Sequence, residues 1–155
     1  MNSVINLDPP HNKDSKNHVT LVKDGTSVVP FPIDREPERT NTAIVYCEGN
    51  FGAIDGKTAN GLVRHSQKYD ILSVIDSQKA GQDSGVSLGD APNGIPVCRD
   101  LADALAQAPQ VPDFFIYGMA PSSGMLSTKE RRLIIEAMGH GISIINGLHE
   151  FLNDD

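Results

Sequence analysis

The sequence predicts an α/β fold: a Rossmann-like parallel sheet of about five strands flanked by helices, with a flexible N-terminal arm containing a β-hairpin. Two observations carry this. From Thr42 onward, short apolar runs alternate with segments of helical period, the signature of repeated βαβ units. Before that point the chain is rich in Pro, Asn, Asp and Lys, and Pro9, Pro10, Pro30 and Pro32 argue against a core element at either end of the stretch. The expected division is a mobile arm over 1–41 and a Rossmann-like domain over 42–155.

Within the arm, Val19–Val22 and Thr26–Val29 are β-branched runs around Asp24-Gly25, a two-residue hairpin signal. An isolated hairpin is marginal in water, so this one is expected to lean on the domain or on another subunit. The five strand candidates that follow are Ala43–Cys47, Ile71–Ile75, a short Ile95–Val97, Phe114–Tyr117 and Ile142–Ile145. Between them, Ala59, Leu62, Val63 and Ser66 recur at helical spacing, as do Leu101, Ala104, Leu105 and Ala108. Each set gives one apolar stripe, as a crossover helix lying on a sheet requires. A third helix starts after Ser127, where Ser-x-x-Glu130 forms a capping box. It turns Leu133, Ile134, Ala137 and Met138 inward and stops at Gly139.

Length and charge narrow the function. At 155 residues one core is expected, with 39% hydrophobic and 21% charged residues as in soluble globular proteins. The net charge of -7 and the absence of a long basic run make nucleic acid and anionic membranes poor partners. The start of the chain lacks the basic and apolar regions of a signal peptide, and no run is long enough to span a bilayer, so a cytoplasmic location is expected. Cys47 and Cys98 form no CxxC pair, and the five His residues have no metal-ligand spacing, so no metal is assigned.

In an open parallel sheet a ligand lies beyond the carboxyl ends of the strands, where strand order reverses. With the order 3-2-1-4-5, the loop after the first strand (Glu48 to Gly56) faces the loop after the fourth (Gly118 to Gly124). The first of these loops, CEGNFGAIDGKT, ends like a phosphate-binding loop. It fails the Walker pattern, because Phe51 stands where the first Gly belongs, and Gly49, Gly52 and Gly56 are also misspaced for a dinucleotide fingerprint. What remains is a glycine-rich turn into a helix, whose backbone N–H groups and dipole favour an anion, with Lys57 and Thr58 at the helix start. The other reading is that the glycines only permit a tight turn.

Asp76, closing the second strand, either holds a ribose hydroxyl or caps a turn. Ser122 and Ser123 either bind a phosphate or shape a turn. Gly147 and His149 follow the fifth strand, and His149 either points into the crevice or caps a last helix. The expected ligand-binding set is therefore Gly49, Gly52, Gly56, Lys57, Thr58, Asp76, Ser122, Ser123, Gly147 and His149. Glu48 at the first strand's tip is either a ligand contact or an exposed acid. No catalytic residue emerges.

The segments GKTANGLVRHS with VIDSQKAGQDSG, YGMAPSSGML and EAMGHGISIINGLHEFL together resemble the Rossmann-like N-terminal domain of a domain-of-unknown-function family that includes D-glutamate N-acetyltransferases. The resemblance covers roughly Thr42 to Asp155 and carries over Lys57, Thr58, Gly61, Asp76, Gly147 and His149 as motif positions. It implies that the nucleotide or acyl-CoA chemistry resides in a second, P-loop-like domain, and this sequence stops at Asp155 before one. A binding module that is not catalytic alone is the expectation. Its ligand would be a small anion, a nucleotide or acetyl-CoA. Its partners would be a separate P-loop-like domain or subunit and further copies of itself in a homo-oligomer. The alternative is a structural or oligomerisation domain without ligand. IPVCRDLADAL and EAMGHGISII are also similar in pattern to CoA-binding domains of succinyl-CoA-synthetase type, an analogy of fold.

Overall fold

The structure, a computed structural model, describes residues 40–148. The expected hairpin arm and His149 lie outside the described residues. Five parallel strands form one sheet in the order β3-β2-β1-β4-β5. In chain order these are β1 (Asn41–Tyr46), β2 (Tyr69–Ile75), β3 (Val97–Cys98), β4 (Phe114–Tyr117) and β5 (Ser143–Ile145). The helices are α1 (Lys57–His65), a short α2 (Ser84–Ser87), α3 (Leu101–Gln107) and α4 (Thr128–Gly139), and a 3₁₀ turn spans Ser77–Lys79. Strand order reverses between β1 and β4, so their carboxyl ends frame the switch point.

The core is the apolar inner part of the sheet. Ala43, Ile44 and Val45 of β1 and Phe115 of β4 are fully buried, and Ile75, Leu101 and Ile134 are almost so. Each fully buried Ile, Leu or Phe stabilises by about 1.5–3 kcal/mol relative to exposure. Paired strand residues share a face. Tyr46 opposes Ile75 on β2 and Tyr117 on β4, while Val45 opposes Val74 and Ile116. At the opposite edge the Asp113 carboxylate accepts from both the backbone N–H and the hydroxyl of Thr42 at 2.8 Å, which ties the starts of β1 and β4.

Two helix ends follow local chemistry. Ser127 caps α4 in a full capping box with Glu130, and the Asp100 carboxylate caps α3 by accepting the N–H of Asp103 at 2.9 Å. The apolar stripe of α4 is narrower than expected. Ile134 and Ala137 are buried and Leu133 packs against the core, but Met138 is 52% exposed. α4 covers β5, the edge strand, and an edge is too narrow to shelter both flanks of a helix.

The third strand also differs. The pairing runs through Val97 and Cys98 rather than Ile95 to Val97. Ile95 and Pro96 instead serve the β2–β3 connection, where Asp83 bridges to Pro96 and the Asp83 carboxylate gathers the N–H groups of Val86, Asn93 and Gly94. Neither α2 nor the 3₁₀ turn has enough length to show a helical period in sequence.

Candidate functional site

The loop from Cys47 to Gly56 folds over Asp76. This carboxylate is 1% exposed. Its Oδ1 accepts from Gly49 N at 3.1 Å and Gln78 N at 3.1 Å, and its Oδ2 accepts from Phe51 N at 3.2 Å. Gly52 N donates to Asn60 Oδ1 at 2.9 Å, and Gly56 N and Lys57 N donate to the carbonyls of Ala53 and Ile54. The amides that could cradle an external anion thus meet acceptors of the chain itself. Asp76 also caps the 3₁₀ turn, and Lys79 donates to the Phe51 carbonyl, holding the loop from its other side.

The loop's glycines have backbone reasons of their own. Gly49 and Gly52 have positive φ. A Cβ at Gly56 would lie 2.1 Å from the Asn50 carbonyl oxygen and 2.8 Å from the Cys47 sulfur, so only glycine lets the turn close. Gly118 acts similarly across the switch point, where a Cβ would stand 2.8 Å from Ala59 Cβ and from Val45. α1 can therefore seat against the tip of β4, where Ala59 N donates to the Gly118 carbonyl.

The two loops expected to face each other do meet. Ala120 N donates to the Asp55 carbonyl at 3.0 Å, and Asn50 Nδ2 donates to Met119 Sδ at 3.3 Å. Beside them opens a crevice of two adjoining cavities, of about 520 Å³ and 390 Å³, whose shared wall is Tyr46, Glu48 and Lys129. The larger runs from the ends of β1 and β2 to α4, with Ile75 and Leu133 as apolar lining and Arg99, Lys129 and Arg132 as cations. The smaller runs between the two loops and is lined by Asn50, Asp55, Ser122 and Glu130 among others.

The crevice acids are largely engaged. Glu48 accepts from the backbone N–H and the hydroxyl of Ser77, latching the β1 loop to the β2 loop. Asp100 caps α3. Glu130 accepts from the Tyr117 hydroxyl at 2.7 Å and from Ser127 N at 2.7 Å. Burial pushes the Glu130 carboxyl up, but the bonds from Ser127 and Tyr117 outweigh it and hold the group below its ordinary value. Burial raises Tyr46 and Tyr117, and the nearby carboxylate Glu130 adds to both. Both phenols keep their protons, and Tyr117 donates its own to Glu130. In contrast, the side chains of Arg99, Lys129 and Arg132 make no hydrogen bond or close ion pair among the described residues, though Arg99 and Lys129 help to lower Asp103 and Glu130 through space.

The candidate residues therefore separate. Ser122 lines the smaller cavity, and Ser123 is bonded within its own turn to Met125. Lys57 and Thr58 are exposed at the start of α1, outside the lining of either cavity, and Gly147 is exposed beyond β5. Tyr46, Arg99, Lys129 and Arg132 went unread as site residues. Their one sequence signal is position: Tyr46 ends the first strand, Arg99 precedes α3, and Lys129 and Arg132 lie in the first half of α4.

Residues 77–155 match DUF1611_N, a domain of unknown function described as a Rossmann-like domain. The chain belongs to this family. The matched stretch contains the cationic rim of the crevice, whereas Tyr46 and the glycine loop precede it. The crystal structure of a DUF1611 family protein from Anabaena variabilis ATCC 29413 superposes with a TM-score of 0.65 at 26% identity, over 74% of this chain and 32% of that one. The chain thus spans about a third of the length of that DUF1611 protein. No curated protein matches. Among the described residues of this DUF1611_N domain, no helix is long and apolar enough to cross a membrane, and no cluster of His, Cys, Asp or Glu is suited to a metal ion.

Proposed function

We propose that this DUF1611_N domain is a binding module for an anionic small molecule, a nucleotide or an acyl-CoA, and that the ligand sits in the crevice beyond β1 and β4. The observation that carries this is the cationic rim. Arg99, Lys129 and Arg132 border a cavity of about 520 Å³ beside the switch point, and none of their side chains is held in a hydrogen bond or close ion pair within the described residues, although Arg99 and Lys129 lie within the electrostatic reach of Asp103 and Glu130. A cavity of that size is in the range of small-molecule sites, and the switch point is where open α/β sheets bind ligands.

By itself the module is not catalytic. It is equivalent, on this reading, to the N-terminal domain of D-glutamate N-acetyltransferase-like proteins. It completes its site with a P-loop-like domain or subunit, in a cytoplasmic homo-oligomer. The expected site set shifts accordingly, from the helix start at Lys57 to the rim on α3 and α4, with Ser122 retained.

A structural domain without ligand is the second reading, favoured by one observation: the glycine loop's amides already bond to Asp76 and Asn60. Thermal melts with ATP, NAD, CoA and acetyl-CoA separate the two. A ligand at 100 times its Kd adds about 2.7 kcal/mol, a rise of roughly 5–10 °C for a chain of this size. Arg132→Ala should abolish that rise and leave the ligand-free melting temperature unchanged. The absence of a rise with all four compounds rejects the binding reading and leaves the structural one.

A further inference from the structure

Tyr46 and Tyr117 are register partners on β1 and β4, with ring centroids 5.7 Å apart, and both are at least nine-tenths buried. Their hydroxyls differ. Tyr117 donates to Glu130. Tyr46 is 4% exposed, lines both cavities, and makes no hydrogen bond among the described residues. Its ring is buried, but its hydroxyl is not one of the sealed, unpartnered polar atoms and instead opens onto the crevice. Glu130 accepts from Tyr117 on one oxygen and from Ser127 N on the other, and makes no bond to Tyr46. Glu48 is latched to Ser77.

The surroundings define what such a hydroxyl would bind. The carboxylates that act on it most strongly, Glu130 and Glu48, set up a negative field. This keeps the proton on the phenol, so the group donates, and it disfavours an anionic oxygen at that spot. The cations that attract negative charge stand instead on α4 and at the start of α3. The crevice thus has an uncharged donor in its wall and positive charge on its rim.

We propose that the Tyr46 hydroxyl is a specificity-determining donor, which bonds a neutral acceptor, a carbonyl oxygen or a ring nitrogen, on the body of a ligand whose anionic end lies among Arg99, Lys129 and Arg132. The assignment rests on the binding reading above and divides the crevice into two recognition tasks. Affinity for the charged end comes from the rim. Choice among ligands with the same charged end comes from Tyr46.

Calorimetric titration of the full chain with ATP, NAD, CoA, acetyl-CoA and inorganic pyrophosphate tests it, pyrophosphate being a charged end without a body. Tyr46→Phe keeps the ring and removes only the hydroxyl. It should weaken the tightest organic probe by about 3- to 10-fold, the loss expected for one hydrogen bond to a neutral group, and leave pyrophosphate binding unchanged. Arg132→Ala should weaken both. Tyr69→Phe, which removes a hydroxyl outside the lining of either cavity, is the control expected to leave probe affinity as it is. Equal affinities of the parent and Tyr46→Phe for the organic probe would mean that the hydroxyl faces only water, and would overturn the assignment while the binding reading stands. Equal weakening of pyrophosphate would overturn it as well, by making Tyr46 a donor to the charged end. A parent chain that binds none of the four organic probes removes the binding reading and this assignment with it.

Discussion

Asp76 accepts the backbone N–H of Phe51 at 3.2 Å across 25 positions of sequence, and through this bond the end of β2 shapes the loop that follows β1. The same carboxylate holds Gly49 and Gln78. Asp76→Ala would strand three donors around a site almost closed to water. Leaving a buried donor unmatched costs about 1–3 kcal/mol, and partial relaxation toward water reduces the sum. The expected loss is about 2–4 kcal/mol, read from the midpoint of urea unfolding. Asp76→Asn, which retains one acceptor oxygen, should lose less. If Asp76→Ala unfolds at the parent's urea midpoint, the loop does not depend on this carboxylate.

Two glycines close in sequence should respond to alanine with opposite signs. At Gly56 the new Cβ would collide with the Asn50 carbonyl oxygen at 2.1 Å, a backbone atom that moves only with the loop. Overpacking of this kind costs about 1–3 kcal/mol. Gly61 lies inside α1, and a Cβ there would meet nothing within 4 Å. Gly61→Ala should therefore stabilise by about 0.5–1 kcal/mol through the helical preference of alanine. Thermal melts of the two single variants decide. A destabilised Gly61→Ala would show that α1 is covered by something outside the described residues.

Much of the architecture was legible because periodicity and caps carry it. The positions of the strands, the α3 stripe on Leu101 and Ala104, and the Ser127–Glu130 capping box follow from residue types at fixed spacings, whereas the strand order is assumed there and only the structure gives it. The site was less legible, for a physical reason. Asp76 reads in sequence as a turn former, which it is, but its burial and its bonds to Gly49 and Phe51 depend on how the β1 loop folds back over β2. Likewise the glycine spacing suggests free amides, whereas their acceptors, Asp76 and Asn60, are supplied from elements further along the chain. Tyr46 lies within an apolar run, and only the pairing of β1 with β4 reveals that Tyr117 has taken the available carboxylate.

The Tyr117–Glu130 bond links stability to pH. Glu130 is held below its ordinary value of 4.5, so its contribution is present above that value and is lost as pH falls through the lower folded value. Asp83 and Asp103 are also held low, each mainly by backbone N–H bonds that overcome or exceed desolvation, and they add to the same acid limb. Tyr117 is raised from 10.0, first by burial and then by its bond to Glu130. Its share is present below pH 10 and is lost as pH rises beyond. Stability should be flat between about pH 5 and 10 as far as this pair is concerned, and should fall on either side. Glu130→Gln should shallow the acid limb without removing it, since the two aspartates remain. Urea midpoints from pH 3 to 7 test this; an acid limb of unchanged steepness in Glu130→Gln would place the titration elsewhere.

The thiols offer a probe of the same loop. Cys47 and Cys98 are free and fully buried. Burial pushes the Cys47 thiol up to about 12, and the charge of Asp76 adds to burial while Lys79 opposes it; Cys98 is raised as well, chiefly by burial. The thiolate is the reactive form, so neither residue should react in the folded chain at pH 8. With an aromatic disulfide reagent the expected count is close to zero in buffer and two in denaturant. Cys47 lies under Gly56, whose missing Cβ would approach its sulfur to 2.8 Å. Gly56→Ala, by forcing the turn open, should therefore expose Cys47 selectively and give one fast-reacting thiol in the folded state. Two equally fast thiols in that variant would mean that the whole domain has loosened, and none would mean that the loop absorbs the methyl group without opening.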